Sequence, residues 1–267
     1  MASFSVVNNI ASANAQTNLH ATQAGLQKAL TRLSSGFRIN TSGDDAAGLV
    51  TANAYRQDIA VTNQGIRNAN DGLSDLQIKD GALANVATLL DRLSTLATQS
   101  ASGTTSAASR VTLAAEFADV IAEMDREVTV AGLATDAGFS VFVSSDSSNG
   151  QVTGTIQSVM AADLGLGSLS IATQDGAALA VTATAAAVET LGASQAKIGA
   201  LQNRLQFAIG LAQSQLVNTK AAESRIRDAN VAEESANMTR YNILTQSGIA
   251  ALAQANNSSS SVLSLLR

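Results

Sequence analysis

Between Ala69 and Ala97 an apolar residue returns at every seventh position: Ala69, Leu76, Leu83, Leu90 and Ala97. That repeat keeps one face of a helix turned toward a partner helix, and it is the spacing of a coiled-coil seam. Ile59, Ile66 and Leu73 form a second row, and Val86 with Leu93 and Leu89 with Leu96 widen the face. The pattern predicts one helix from about Asp44 to Ser100. At about 1.5 Å per residue it would be a rod of roughly 80 Å. No proline breaks it, and none occurs in the 267 residues, where an average content of about 5% would place roughly a dozen.

A shorter helix precedes the rod. Leu19, Leu26 and Leu33 recur every seven residues, with small Ala15, Thr22 and Ala29 between them and Leu30 beside them, which predicts a helix over about 5–34. The stretch Ser34–Gly48 then joins the two helices. Gly36 and Gly43 supply the backbone freedom that stops the first helix and turns the chain. Ser42, three residues before Asp45, reads as a Ser-x-x-Asp start signal, with Asp44 and Asp45 in the first turn where negative charge meets the positive end of the helix dipole. No base, metal ligand or nucleophile accompanies these carboxylates, so a helix start outweighs an active-site reading.

Beyond the polar turn Ser100–Ser109, Leu113, Phe117, Val120, Ile121, Met124 and Val128 lie on one helical face. Joined by a short loop, this third helix should pack antiparallel to the long one. Residues 139–186 change character. Phe139, Val141 and Val143 alternate with Ser140 and Phe142, Val152–Ile156 follows, and Asn149-Gly150 between them is a hairpin signal. Ala161–Leu166 reads as a short helical turn, and Leu169–Ile171 and Leu179–Val181 as further strands. Heptads resume at Leu191, Ile198, Leu205 and Ala212. Asn230-Val-Ala-Glu233 is a second start signal, and a last helix carries Met238, Tyr241, Leu244, Gly248, Leu252 and Ala255 along one side. The polar run Asn256–Ser261 should end it before Val262–Leu266. The expected class is mainly α: elongated antiparallel helical rods of coiled-coil type with a small β-hairpin region.

Composition narrows function. Zero cysteines exclude disulfides and thiolate metal sites, and the single His20 has no companion ligand. The net charge of −5 disfavours a nucleic-acid binder. No run reaches the roughly 18 uninterrupted apolar residues of a membrane span, and the N-terminus has neither the basic region nor the apolar run of a signal peptide. No catalytic set, zinc motif or phosphate loop is present. The expectation is a non-enzyme without cofactor or metal.

The two ends carry a recognisable pattern. Ser34–Gly48, with Ser-Ser-Gly-x-Arg-Ile-Asn and Asp-Asp-Ala-Ala-Gly, Ala232–Gln246 and the closing Val262–Arg267 resemble bacterial flagellin. The resemblance covers residues 1–130 and 187–267, about four-fifths of the chain. It implies a subunit that self-assembles into the flagellar filament for swimming motility; the competing member is the hook–filament junction protein. It implies an inner D0 of residues 1–43 and 225–267, and a D1 of helices 44–138 and 187–224 with the hairpin region 139–186, without the outer domains D2 and D3.

On this reading Leu19, Leu26, Leu33, Met238, Tyr241, Leu244 and Leu252 carry polymer packing, the alternative being an ordinary core role within one subunit. Arg38 with Asp44 and Asp45 would connect D0 to D1, against a purely local loop contact. Arg92 and Glu116 match the family's Toll-like receptor 5 site, but Ser94 and Thr95 stand where it has arginine and glutamate, implying weak or no activation. The implied partners are further copies of the chain, sister flagellins, hook-associated junction and cap proteins and a cytoplasmic export chaperone, with no nucleic acid and no membrane insertion. The implied location is the extracellular filament, reached through the flagellar type III route without a cleaved signal. Ser144, Ser145, Ser147 and Ser148 are candidates for glycosylation, against a plain solvated loop.

Overall fold

The computed structural model describes residues 8–144 and 150–265, with 259–265 described by backbone alone. Among the described residues five helices and one hairpin follow in order: α1 Ile10–Ser35, α2 Ala46–Ala101, α3 Ala107–Val130, β1 Ala137–Phe142, β2 Gln151–Ile156, α4 Gln174–Arg227 and α5 Val231–Leu265. They form two compact units, which divide within α2 and α4. A terminal unit combines the chain up to Gln57 with the chain from Thr219 onward, and a central unit spans Asp58–Asn218.

The central unit is built on the heptad row of α2. Ala69, Leu76, Leu83, Leu90 and Ala97 are all fully buried, as are Val86 and Leu93. Phe117, Met124 and Val128 of α3 and Leu191, Ile198, Leu201 and Leu205 of α4 complete the same core. The antiparallel packing of α3 on α2 shows in its polar ties: Asn85 donates to Glu127, and Arg92 pairs with Glu116. Arg110 closes the end of α2, its guanidinium donating to the carbonyls of Ser100 and Ser102, both at 2.8 Å. Ser106 caps α3 by accepting from the Ser109 N–H at 3.2 Å.

β1 and β2 pair antiparallel, with Phe139 opposite Gly154 and Val141 opposite Val152. The hairpin turn signal at Asn149 lies outside the described residues, as do the candidate serines 145, 147 and 148. Gly65 admits the chain here: a Cβ on it would stand 1.9 Å from the backbone oxygen of Val143. A Cβ on Gly72 would meet Val141 Cγ2 at 2.7 Å, while Gly81 faces open space. Gly65 and Gly72 therefore seat the β1 segment, and Leu205 of α4 also lies 3.7 Å from a Cβ on Gly72.

Two expectations fail in the stretch that follows. Leu169–Ile171 and Leu179–Val181 are not strands. The first lies in an irregular segment that fills the core with Val159, Ala161, Leu164, Leu166 and Ile171, and the second lies inside α4. Ala161–Leu166 is a turn, closed by the Leu166 N–H donating to Ala161 O at 2.7 Å. α4 starts at Gln174, within the expected hairpin region, with Thr173 capping the Gly176 N–H at 3.1 Å. Its alanines explain the miss. Ala177, Ala180, Thr184, Ala187 and Leu191 are buried at helical spacing, but Ala contrasts weakly with the neighbouring Thr and Gly. The same alanines give part of α4 a mean hydropathy of 1.3, enough by length and composition alone to cross a membrane.

A third correction concerns the tail. α5 continues through Asn256–Ser261 to Leu265. Asn and Ser each cost a helix no more than about 0.7 kcal/mol against Ala, and without Gly or Pro nothing stops it. Ser258 instead returns its hydroxyl to the Ala255 carbonyl at 2.9 Å.

Candidate functional site

The terminal unit brings α1 and α5 together as an antiparallel pair in a constant register. Asn9, which caps α1, also donates to Ala255 O at 2.9 Å. Gly248 faces Leu19, Gly25 faces the Tyr241 ring, and Arg32 pairs with Glu234 at 2.9 Å. At Gly25 the approach is so close that a Cβ would stand 2.7 Å from the Tyr241 ring.

This arrangement decides where the seven expected packing residues lie. Leu19, Leu26, Leu33, Met238, Tyr241 and Leu252 are half-buried, and Ala29 is the one fully buried residue of α1. Each helix thus supplies much of the cover for the other's seam inside a single chain. Leu244 is 44% exposed, and Leu30, Ile243 and Ile249 stand out with it. His20 is exposed as well.

A clasp links the inner ends of the two helices. Gly36 takes a left-handed φ of +74°, ending α1 while its N–H returns to Arg32 O. The chain then pairs with the segment after α4: Arg38 N–H donates to Arg227 O at 2.6 Å, and Ala229 N–H to Gly36 O at 2.9 Å. The Arg227 guanidinium lies 4.2 Å from the centre of the Phe37 ring, a cation–π contact. Arg38 Nη2 donates to Ile226 O at 2.8 Å.

The three residues expected to act together at the connection therefore separate. Arg38 belongs to the clasp. Asp44 instead pairs with Lys28 of α1 at 2.9 Å and accepts from the N–H groups of Asn40 and Thr41. The Lys28 ammonium, seconded by those N–H groups, holds the Asp44 carboxyl well below the usual carboxylate range. Asp45 alone caps α2, accepting from the Gly48 N–H at 2.9 Å. Neither Asp stands in the first helical turn, and Asp45, not Ser42, is the cap. Asn230 does cap α5, accepting from the Ala232 N–H at 3.1 Å, with Glu233 and Glu234 in the first turn.

Lys28, Arg32, Phe37 and Arg227 were missed by sequence reasoning. The one available signal was Lys28 and Arg32, spaced by four beside a thin seam and with acidic Glu233 and Glu234 on the other end helix. In the central unit, Arg92 is held by Glu116 and the Thr95 hydroxyl donates to Arg92 O at 2.8 Å. Ser94 is half-buried beside them. Among the described residues no group of three or more His, Cys, Asp or Glu is placed to hold a metal ion.

These features define a class of chain in which the two ends pair as helices in one compact unit and the middle packs as another. Residues 6–135 match the bacterial flagellin N-terminal helical region, and residues 181–266 the bacterial flagellin C-terminal helical region. The chain belongs to the bacterial flagellin family. Flagellin FlaB1 of Treponema pallidum is 33% identical, over 97% of this chain and 98% of its own. A flagellin of Halalkalibacterium halodurans is 34% identical with the same coverage. The crystal structure of Bacillus cereus flagellin has 27% identity and a TM-score of 0.47, covering 59% of this chain and 94% of that one.

Proposed function

We propose that this chain is the structural subunit of a bacterial flagellar filament and that it polymerises through the outward faces of its paired end helices. The observation that carries the mechanism is the exposed apolar set Leu30, Ile243, Leu244 and Ile249. It remains on α1 and α5 after the seam between them has formed. A heterologous contact of that kind propagates into a helical polymer. The expected seam residues Leu19, Leu26, Leu33, Met238, Tyr241 and Leu252 then act indirectly, by building the helix pair that presents this face. Relatives include a 33 kDa flagellar filament core protein of Treponema phagedenis, 34% identical, which favours a filament subunit over a hook–filament junction protein.

We assign α1 and α5 to D0, and α2, α3, the hairpin and α4 to D1. The filament lies outside the cell. Export as an unfolded chain without a cleaved signal suits a sequence with neither cysteine nor proline. A chaperone for the C-terminal segment, hook-associated proteins and sister flagellins are the further partners. The role is structural, without catalysis, nucleic acid or membrane insertion. Toll-like receptor 5 activation should be weak, since Ser94 and Thr95 lack the family's charges and Arg92 is already engaged by Glu116; nanomolar activation of reporter cells would overturn that.

The deciding experiment is electron microscopy of purified protein seeded with sheared filament fragments. The full chain should grow long filaments, and a chain carrying Ile243→Asp and Ile249→Asp should grow none while keeping its circular dichroism. Wild-type filament yield from that variant would sink the end-helix mechanism.

A further inference from the structure

Each of the two end helices contains a single glycine: Gly25 among the 26 residues of α1 and Gly248 among the 35 of α5. A glycine inside a helix costs about 1 kcal/mol against alanine, and neither of these takes a positive φ that would require it. Both lie where the other helix inserts a side chain. A Cβ on Gly25 would stand 2.7 Å from Cε1 and Cζ of Tyr241, and a Cβ on Gly248 would stand 3.3 Å from Cδ1 of Leu19. The contacts are reciprocal: each helix sends one side chain into the one bare position of the other.

Together they fix the register. Leu19 and Gly25 on α1, and Tyr241 and Gly248 on α5, are each separated by roughly 10 Å along their helix, so both contacts close at the same setting. A slip of one turn would put the Tyr241 ring against Ala21 or Ala29, which carry the methyl that Gly25 lacks.

They also fix how α5 is turned about its axis. Ile243 and Leu244 follow closely after Tyr241, and Ile249 directly follows Gly248. With Tyr241 and Gly248 held against α1, these three side chains are left exposed. We infer that Gly25 and Tyr241 are positioning residues for assembly: the ring, seated on the bare backbone of α1, sets the register and rotation in which α5 presents Ile243, Leu244 and Ile249 to the next copy. This rests on the filament reading and adds which residues aim its contact face. The ring carries the contact and the phenol does not, since Cδ1, Cε1 and Cζ are the atoms nearest Gly25 and phenylalanine has all three. A methyl at position 25 leaves that ring no room. The ring can yield only by swinging off α1, which surrenders the setting.

The test is the critical concentration for seeded filament growth. Gly25→Ala should raise it about tenfold, although alanine is the better helix former. Tyr241→Ala should raise it comparably, whereas Tyr241→Phe should retain growth. Gly25→Ala combined with Tyr241→Ala, where the new methyl fills part of the gap, should raise it less than either change alone. Mixed into wild-type protein as a minor fraction, Gly25→Ala should slow growth by more than its share, because a subunit with a displaced face stops the end it joins. Slowing in plain proportion would reduce the pair to ordinary packing and overturn the inference. So would a Gly25→Ala chain that assembles like wild type, or single losses that simply add in the double variant. Failure of the wild-type chain to grow on seeds would instead sink the filament reading, and this inference with it.

Discussion

The two units of this chain use the same helical spacing and hold together by different means. In the central unit, three helices converge on one row, and Leu76, Leu83, Leu90 and Leu93 are all fully buried. In the terminal unit two helices face each other, and the seam leucines reach only half burial. There the polar features take over: the Asn9 cap, the Arg32–Glu234 pair, the Lys28–Asp44 pair and the Phe37–Arg227 clasp. Two helices have too little mutual surface to build a deep core, whereas a third helix closes it. A unit stabilised in this shallow way gains the most from a neighbour.

That contrast can be broken by truncation. Leu83→Ala should cost about 2–5 kcal/mol, the range for a buried leucine, read as a fall in the main calorimetric transition of the unpolymerised chain. Leu26→Ala, on the half-buried seam, should cost only about 1 kcal/mol. Equal losses would remove the distinction between the units. A smaller effect tests how tightly the central unit is filled. Gly65→Ala pushes a methyl into the Val143 backbone and should cost about 1–3 kcal/mol, with faster amide exchange in β1 and β2. Gly81→Ala, with open space around it, should instead stabilise by up to about 1 kcal/mol. Identical outcomes at the two positions would show that the hairpin is not seated as described.

The smallest expected effect concerns the polar ties of the terminal unit. The Asp44 carboxyl is more acidic in the fold than its ordinary value of 3.8. Its contribution is therefore complete above that value and is lost as pH falls below it toward the depressed one. Asp44→Asn should lower the melting temperature by about 1–2 °C at neutral pH, a modest change for a partly exposed pair. Variant and wild type should converge as the solution is acidified below 3.8. A gap that persists at low pH would assign the effect to turn geometry and not to charge.

Much of the central unit was legible because leucine against a polar background gives a strong periodic signal. The α2 rows, the α3 face and the hairpin alternation at Phe139 and Val143 all became structure on that basis. The first turns of α4 were not legible, since alanine buries well against a close neighbour yet barely differs from threonine or glycine in hydropathy. Nor was the start of α2. Ser42 reads as the cap, but Asp45 itself accepts from the Gly48 N–H, and Asp44 pairs with Lys28, a residue on another helix.

The candidate site divides in the same way. Spacing placed seven residues on the apolar stripes of the end helices, but spacing alone does not say whether a stripe is covered within a chain or between chains. Pairing α1 with α5 spent most of that seam and left Ile243, Leu244 and Ile249 outside. Helix formation, helix length and the apolar faces are local properties, encoded in residues three, four and seven apart. Which face meets which partner depends on residues such as Phe37 and Arg227, nearly two hundred positions apart in the chain. That choice exists only after folding has brought both ends together.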